Sequence, residues 1–191
     1  MTGRAAGIVL IAGLVACVEP SGGPKPGVGD PGLPDGGGPQ EQDVPQIWIN
    51  EVMAQNQTAW QDEAGSFPDW IELWNPNDVA VDLSGWWLSD DVGDPLDWEF
   101  PQGARIEPNE YLVVWCDDDE IDGELHASFH LASEGGEDVV LSGPDLAGNP
   151  VVDELEDMAG QLPDQSLARL PDGGPTWGLA DAPTPAASNG Q

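Results

Sequence analysis

Positive charge is almost missing from this sequence. Lys and Arg total 4 against 36 Asp and Glu, a formal net charge of -32 over 191 residues. Arg4 falls in an N-terminal segment expected to be removed, which leaves Lys25, Arg105 and Arg169 as the permanent cations of the mature chain. A surface this acidic repels phosphate backbones and lacks the cations that displace their counterions, so nucleic acid is not expected as a partner. It repels anionic lipid headgroups too, so membrane attachment has to be covalent or mediated by another molecule. Cations, basic proteins and neutral glycans remain as partners. The carboxylates also have a plainer reading, as the solvation layer of a soluble protein.

Cysteine is scarce as well, with Cys17 and Cys116 alone. Once Cys17 is modified, Cys116 has no partner for an internal disulfide, and its place at the end of an apolar run reads as a buried structural thiol. No G-x-S-x-G elbow, Walker loop or dinucleotide fingerprint occurs, and nothing assembles base, nucleophile and oxyanion hole. The chain is not expected to be an enzyme. Nor is a long hydrophobic run present: the longest, near the N-terminus, is about a dozen residues, against roughly 20 for a membrane-spanning helix.

That short run carries its own signal. Residues 1–17 read as Met-Thr-Gly-Arg, an apolar stretch ending in Leu14-Val15-Ala16, then Cys17. A positive start, an apolar middle and a small residue before the cut make an export signal. Leu14-Val15-Ala16-Cys17 resembles the lipobox of bacterial lipoproteins. The resemblance implies that the Cys17 thiol takes the diacylglyceryl group and becomes the mature N-terminus, anchoring the protein to the membrane through lipid. Val18 is not the Asp that retains some lipoproteins at the inner membrane, which favours the outer membrane or cell surface of a bacterial envelope. An ordinary secretory signal with a coincidental Cys is the alternative.

Residues 18–46 are rich in Pro and Gly and carry no aromatic residue. Such a segment cannot bury enough surface to offset its conformational entropy, and it is expected to be a disordered tether. All nine Trp lie between Trp48 and Trp177, so a core is available only beyond it. From residue 47 to 189 short strand patterns alternate with turns. Ile47-Trp48-Ile49-Asn50-Glu51-Val52-Met53, Trp70-Ile71-Glu72-Leu73-Trp74, Ala80-Val81-Asp82-Leu83, Trp86-Trp87-Leu88-Ser89, Trp98-Glu99-Phe100, Ala127-Ser128-Phe129-His130-Leu131 and Asp138-Val139-Val140-Leu141-Ser142 are the expected strands. Tyr111-Leu112-Val113-Val114-Trp115-Cys116 is apolar on both faces and predicts a strand with neighbours on both sides. No segment holds a helical period. The pattern predicts an all-β, antiparallel β-sandwich or barrel.

Five motifs in order then carry a resemblance. Ile49-Asn50-Glu51-Val52-Met53-Ala54, Asp69-Trp70-Ile71-Glu72-Leu73-Trp74-Asn75, Val81-Asp82-Leu83-Ser84-Gly85-Trp86, Ser166-Leu167-Ala168-Arg169-Leu170-Pro171-Asp172-Gly173, and Pro183-Thr184-Pro185 with Asn189 are similar to the motifs of the lamin-tail domain family. The run from Phe129 to Glu137 resembles a further family region, with one extra Gly. Ala186 stands where the family's closing motif has Gly. The resemblance implies an immunoglobulin-like β-sandwich serving as an accessory module of exported proteins. The nuclear role of eukaryotic lamins does not carry over, because the rod is missing and an export signal is present.

Candidate sites follow from residue chemistry. The acidic run Asp117, Asp118, Asp119, Glu120, Asp122 and Glu124 offers hard oxygen ligands that suit calcium. It is not an EF-hand: Phe129 falls where a bidentate Glu is needed. A solvated loop is the competing reading. Asp90-Asp91-Val92-Gly93-Asp94 is a weaker candidate of the same kind. His126 and His130 lack the further ligand a zinc site wants. Trp86 and Trp87 are adjacent, so in a strand one faces the core and the other, with Trp60 or Trp177, could form a binding patch for a protein or glycan. Arg169 is expected to pair with a carboxylate and pin the C-terminal strand. The favoured function is a membrane-anchored surface lipoprotein presenting a non-catalytic interaction or adhesion domain. The alternatives are a calcium-binding structural domain of the envelope and a divergent exported hydrolase accessory protein using His126 or His130.

Overall fold

The computed structural model describes residues 43–119 and 121–190. The expected signal segment with Cys17, the tether as far as residue 42, and Glu120 lie outside the described residues. The strands run, in chain order, β1 (Trp48–Met53), β2 (Asp69–Trp74), β3 (Val81–Asp82), β4 (Trp87–Ser89), β5 (Trp98–Glu99) and β6 (Arg105–Ile106). They continue with β7 (Tyr111–Cys116), β8 (His126–Ala127), β9 (Val139–Ser142), β10 (Val151–Leu155), β11 (Ser166–Arg169) and β12 (Trp177–Ala180), with one 3-10 turn at Asp145–Ala147. Among the described residues no helix is long and apolar enough to cross a membrane.

One sheet has the order β12-β11-β1-β2-β7-β8 and the other β10-β9-β4-β5, with a small β3-β6 ribbon beside them. Alternation along each strand sends one set of side chains between the sheets. Ile49, Val52, Ile71, Leu73, Val114 and Leu167 from the larger sheet meet Leu88, Trp98, Val139, Leu141 and Leu155 from the smaller in one buried core. This is an all-β, immunoglobulin-like sandwich. The packed chain starts upstream of the expected boundary at Ile47: Val44 packs against the core, and the Gln46 side chain donates to the Val152 carbonyl.

The strand pairings are antiparallel with one exception. β8 lies parallel to β7, with Trp115 opposite His126. Asp122 N–H donates to the Asp119 carbonyl at 3.1 Å, so the loop turns back and the chain re-enters alongside β7 in the same direction. Of the strand expected at residues 127–131, only Ala127 belongs to β8, and His130 forms an isolated bridge to Asp117. Phe129 and Leu131 still face the core.

β7 is apolar on both faces because both are covered. Val114 and Cys116 point into the sandwich, while Trp115 joins Met53 and Trp70 in a second cluster on the outer face. β1 carries a bulge: Ile49 is opposite Leu73 and Glu51 is opposite Glu72, leaving Asn50 as the extra residue. Glu51 and Glu72 therefore share the outer face, and both are fully buried there. The segment 183–190 covers them. Arg169 pins β11 as expected, pairing with Asp153 at 2.8 Å and lying between the rings of Trp48 and Trp177.

Candidate functional site

The 54–68 loop leaves β1 and folds back over the outer face. Asn56 shapes its start, donating to the Trp60 and Pro68 carbonyls at 2.6 and 2.8 Å and accepting from Trp60 N–H. Asp164 gathers the N–H groups of Gln57, Thr58 and Ala59. Trp60 then seats on the sheet, its ring 5.2 Å from that of Trp115 and 6.2 Å, edge-on, from that of Trp70. A loop tied this way holds the next residues in place. Asp62 Oδ1 accepts from Ser66 N–H at 2.7 Å, while Asp62 Oδ2 is buried and accepts nothing.

Across from it, β7 runs into Asp117 and the 117–125 loop. One carboxylate oxygen each of Asp62, Asp117 and Asp122 lies within 4.8 Å of the others. Asp117 is oriented by His126, whose Nδ1 sits 3.0 Å from its Oδ2. The His126 side chain is fully buried beside Trp115, and its Nε2 is 3.5 Å from Glu63 Oε1, beyond hydrogen-bonding reach. Gly123 passes so closely that a Cβ there would stand 2.5 Å from Glu63 Oε1 and 2.8 Å from His126 Cδ2, so the loop needs glycine at this point.

The acidic run is thus divided. Asp117 and Asp122 come together with Asp62, which the sequence reading missed. Asp118, Asp119 and Glu124 are exposed and outside the group. Asp118 is in the left-handed region at φ 54°, and Asp119 caps the Ile121 N–H. His130 is exposed and, like His126, outside the group. The two arginines of the described residues are engaged elsewhere, Arg105 with Glu107 and Arg169 with Asp153. Three carboxylate oxygens converging without Lys or Arg are a hard-ligand set suited to a hard divalent cation. In the second acidic loop, Asp91 Oδ1 accepts from Gly93 N–H and Ser89 donates to the Asp91 and Asp94 carbonyls, which are ordinary turn contacts.

Of the adjacent pair Trp86 and Trp87, Trp86 is the one that faces the core, 2% exposed, so it is no part of a binding surface, and β4 turns Trp87 outward. Trp87 is half-buried and donates to Asp145 at 3.2 Å. Trp60 and Trp177 do not join it. Trp60 stacks on Trp70 and Trp115, and Trp177 on Arg169. Cys116 is buried, and that burial pushes its thiol well above the usual range, away from nucleophilic use.

A second polar constellation lies under the C-terminal segment. Glu51 accepts from Ser166 Oγ, Thr184 N–H and Thr184 Oγ1. Glu72 accepts from Asn50 Nδ2 at 3.0 Å and Ala186 N–H at 2.7 Å. Asp172 accepts from Asn50, Tyr111, Ser188 and Asn189. Burial pushes Glu51 up, and pushes Glu72 up to about 8 with help from the neighbouring Glu51 charge. Burial also acts on Asp172, but its four donors outweigh it and hold the carboxyl below the usual range. These groups fasten the chain to itself.

A family model described as Lamin Tail Domain matches residues 40–166. The match ends at Ser166, the first residue of β11, so Asp172, Thr184 and Asn189 lie beyond it. Comparison with curated proteins and with solved structures gives no match.

Proposed function

We propose, from the premise that the chain belongs to the lamin tail domain family, that it is a lipid-anchored envelope protein presenting a non-catalytic interaction domain. The observation that carries this reading is the engagement of the ionisable groups that lie under the C-terminal segment and beside Arg169. Glu51, Glu72, Asp153, Asp172 and Arg169 are each held by partners in the same chain, so they act as fasteners of the sandwich and not as reagents. A rigid platform of this kind leaves recognition to its surface. That surface is rich in carboxylates and selects cations, basic proteins or neutral glycans. The anchor rests on Leu14-Val15-Ala16-Cys17, and the Pro- and Gly-rich residues 18–42 set the domain away from the membrane.

The test is expression of the full chain in a bacterial host fed labelled palmitate. The wild type incorporates label, partitions with membranes and is shaved from intact cells by added protease. Cys17→Ser abolishes the label and the membrane fraction together. A wild-type chain that carries no label and stays soluble overturns the anchor. Hydrolytic turnover by the purified chain that is lost on His126→Ala or His130→Ala overturns the non-catalytic reading.

A further inference from the structure

We propose that Asp62, Asp117 and Asp122 bind one calcium ion, which staples the 54–68 loop to the 117–125 loop on the outer face of the larger sheet. The proposal does not rest on the lipid anchor.

Proximity of carboxylates is common on so acidic a chain and alone would carry nothing. The decisive observation is the Asp62 side chain. Asp62 is 8% exposed, and its Oδ2 is buried with no hydrogen-bond donor. An uncompensated buried carboxylate oxygen is unfavourable. Elsewhere the chain supplies donors to such groups: both oxygens of Glu51 and both of Glu72 accept hydrogen bonds. Around Asp62 it supplies further negative charge instead, from Asp117 and Asp122 within 4.8 Å. A cation resolves both the missing partner and the repulsion.

The donor set chooses the cation. Three carboxylate oxygens form a hard-ligand group, with Glu63 beside it and water to complete the six to eight positions that calcium takes. Magnesium demands stricter octahedral geometry, and the irregular loops do not impose it. Zinc prefers nitrogen and sulfur, but the His126 Nδ1 is directed to Asp117, the arrangement of a group that orients a ligand. Two of the three ligands are preorganised: Asp62 by Ser66 and the docked Trp60, Asp117 by His126. Asp122 is on the exposed loop and closes the site. A set of three carboxylates places the affinity with extracellular calcium modules, roughly 10⁻⁴ to 10⁻³ M.

The experiment uses the purified full chain, stripped with EDTA and titrated with terbium, a luminescent stand-in for calcium. Trp60 precedes the site by two positions and serves as the sensitiser. The expected result is saturable luminescence at one equivalent, reversed by calcium, together with a calcium-dependent rise in melting temperature. Asp62→Asn keeps the Ser66 hydrogen bond and lowers calcium affinity at least about tenfold. Asp122→Asn, at an exposed position that does not threaten folding, does the same, while Asp94→Asn in the other acidic loop leaves binding unchanged. Several weak sites that Asp62→Asn and Asp122→Asn leave untouched would mean a diffuse counterion atmosphere and overturn the proposal. So would absence of any signal or melt shift up to about 10 mM calcium.

Discussion

The Asn189 side chain donates to the Asn50 carbonyl at 2.9 Å, joining two residues 139 positions apart. Asn50 is the bulge residue of β1, and its own amide donates to Glu72 and Asp172. The residues that carry the family resemblance, namely Asn50-Glu51, Glu72, Asp172, Thr184 and Asn189, therefore meet in one polar network across the outer face. Their chemistry is that of closure. Two acids buried on a sheet need donors, and the C-terminal segment supplies them.

Asn189→Ala should loosen that closure. It removes donation to the Asn50 and Arg169 carbonyls and the bond from Thr184 Oγ1 to Asn189 Oδ1. A loss of about 1–3 kcal/mol is expected, since partly buried acceptors lose their donors. Urea unfolding of wild type and variant measures it, and an unchanged midpoint would show that the segment is not fastened as described.

Stability should fall as pH rises from mildly acidic to alkaline. Glu72 is pushed up to about 8 by burial, and Glu51 is raised in the same direction. The folded state thus binds these protons more tightly than the unfolded chain. Their contribution is complete below the ordinary carboxylate value and is lost as pH climbs through the folded value. Asp172, held low, acts oppositely: its contribution is present above its ordinary value of 3.8 and is lost as pH falls toward its lower folded value. Each proton changes stability by at most about 1.4 kcal/mol per pH unit. Melts between pH 5 and 9 should show a higher midpoint at the acid end, and Glu72→Gln should flatten the slope. A midpoint that climbs steadily with pH would contradict the assignment.

The sequence made the sandwich legible where alternation was clean. β2 shows Ile71 and Leu73 on one side and Trp70, Glu72 and Trp74 on the other, and the core follows that division. The same strand held an unused signal. An acid between two tryptophans on one face implies that the face is covered, since bare Trp and Glu would not share it to advantage. β10 and β12 were not foreseen, because Val151–Leu155 and Trp177–Ala180 take strand form from sheet-edge pairing and not from pattern. The acid site was half legible. Asp117 and Asp122 stand in one run, but Asp62 reaches them only because Trp60 docks the 54–68 loop on Trp70 and Trp115. Contacts of that kind are set by tertiary packing, which no local pattern encodes.

Arg169 is the cation whose loss should cost most. Its guanidinium donates to both oxygens of Asp153, to the Ile49 carbonyl and to the Gly174 carbonyl. Arg169→Lys cannot reproduce that fork and should lose about 2–4 kcal/mol; Arg169→Met leaves Asp153 buried with the Ile49 N–H alone and should lose about 3–5 kcal/mol. Pairing Arg169→Met with Asp153→Leu should cost less than the two single changes summed, because no orphaned charge remains. Strict additivity in this cycle would mean that the pair is not coupled.

Ala186 is the position where the sequence departs from the family's closing Gly, and the backbone keeps the glycine conformation. Its φ is +58°, and Ala187 N–H closes the turn on the Thr184 carbonyl at 3.0 Å. With Pro185 at the second position, the turn requires a positive φ at the third. An L-residue there costs roughly 1–2 kcal/mol, part of which glycine returns through its greater freedom when unfolded. Ala186→Gly should therefore stabilise by about 0.5–1 kcal/mol, raising the melting temperature by roughly 1–4 °C. Ala186→Val, β-branched, should destabilise beyond the alanine. The consequence reaches the sheet, because Ala186 N–H donates to Glu72 at 2.7 Å. A relaxed turn holds that donor more firmly and favours the charged Glu72 carboxyl, so stability should fall less steeply with rising pH in the Gly variant and more steeply in the Val variant. If Val is tolerated and Gly gives no gain, the turn over Glu72 does not depend on the left-handed residue.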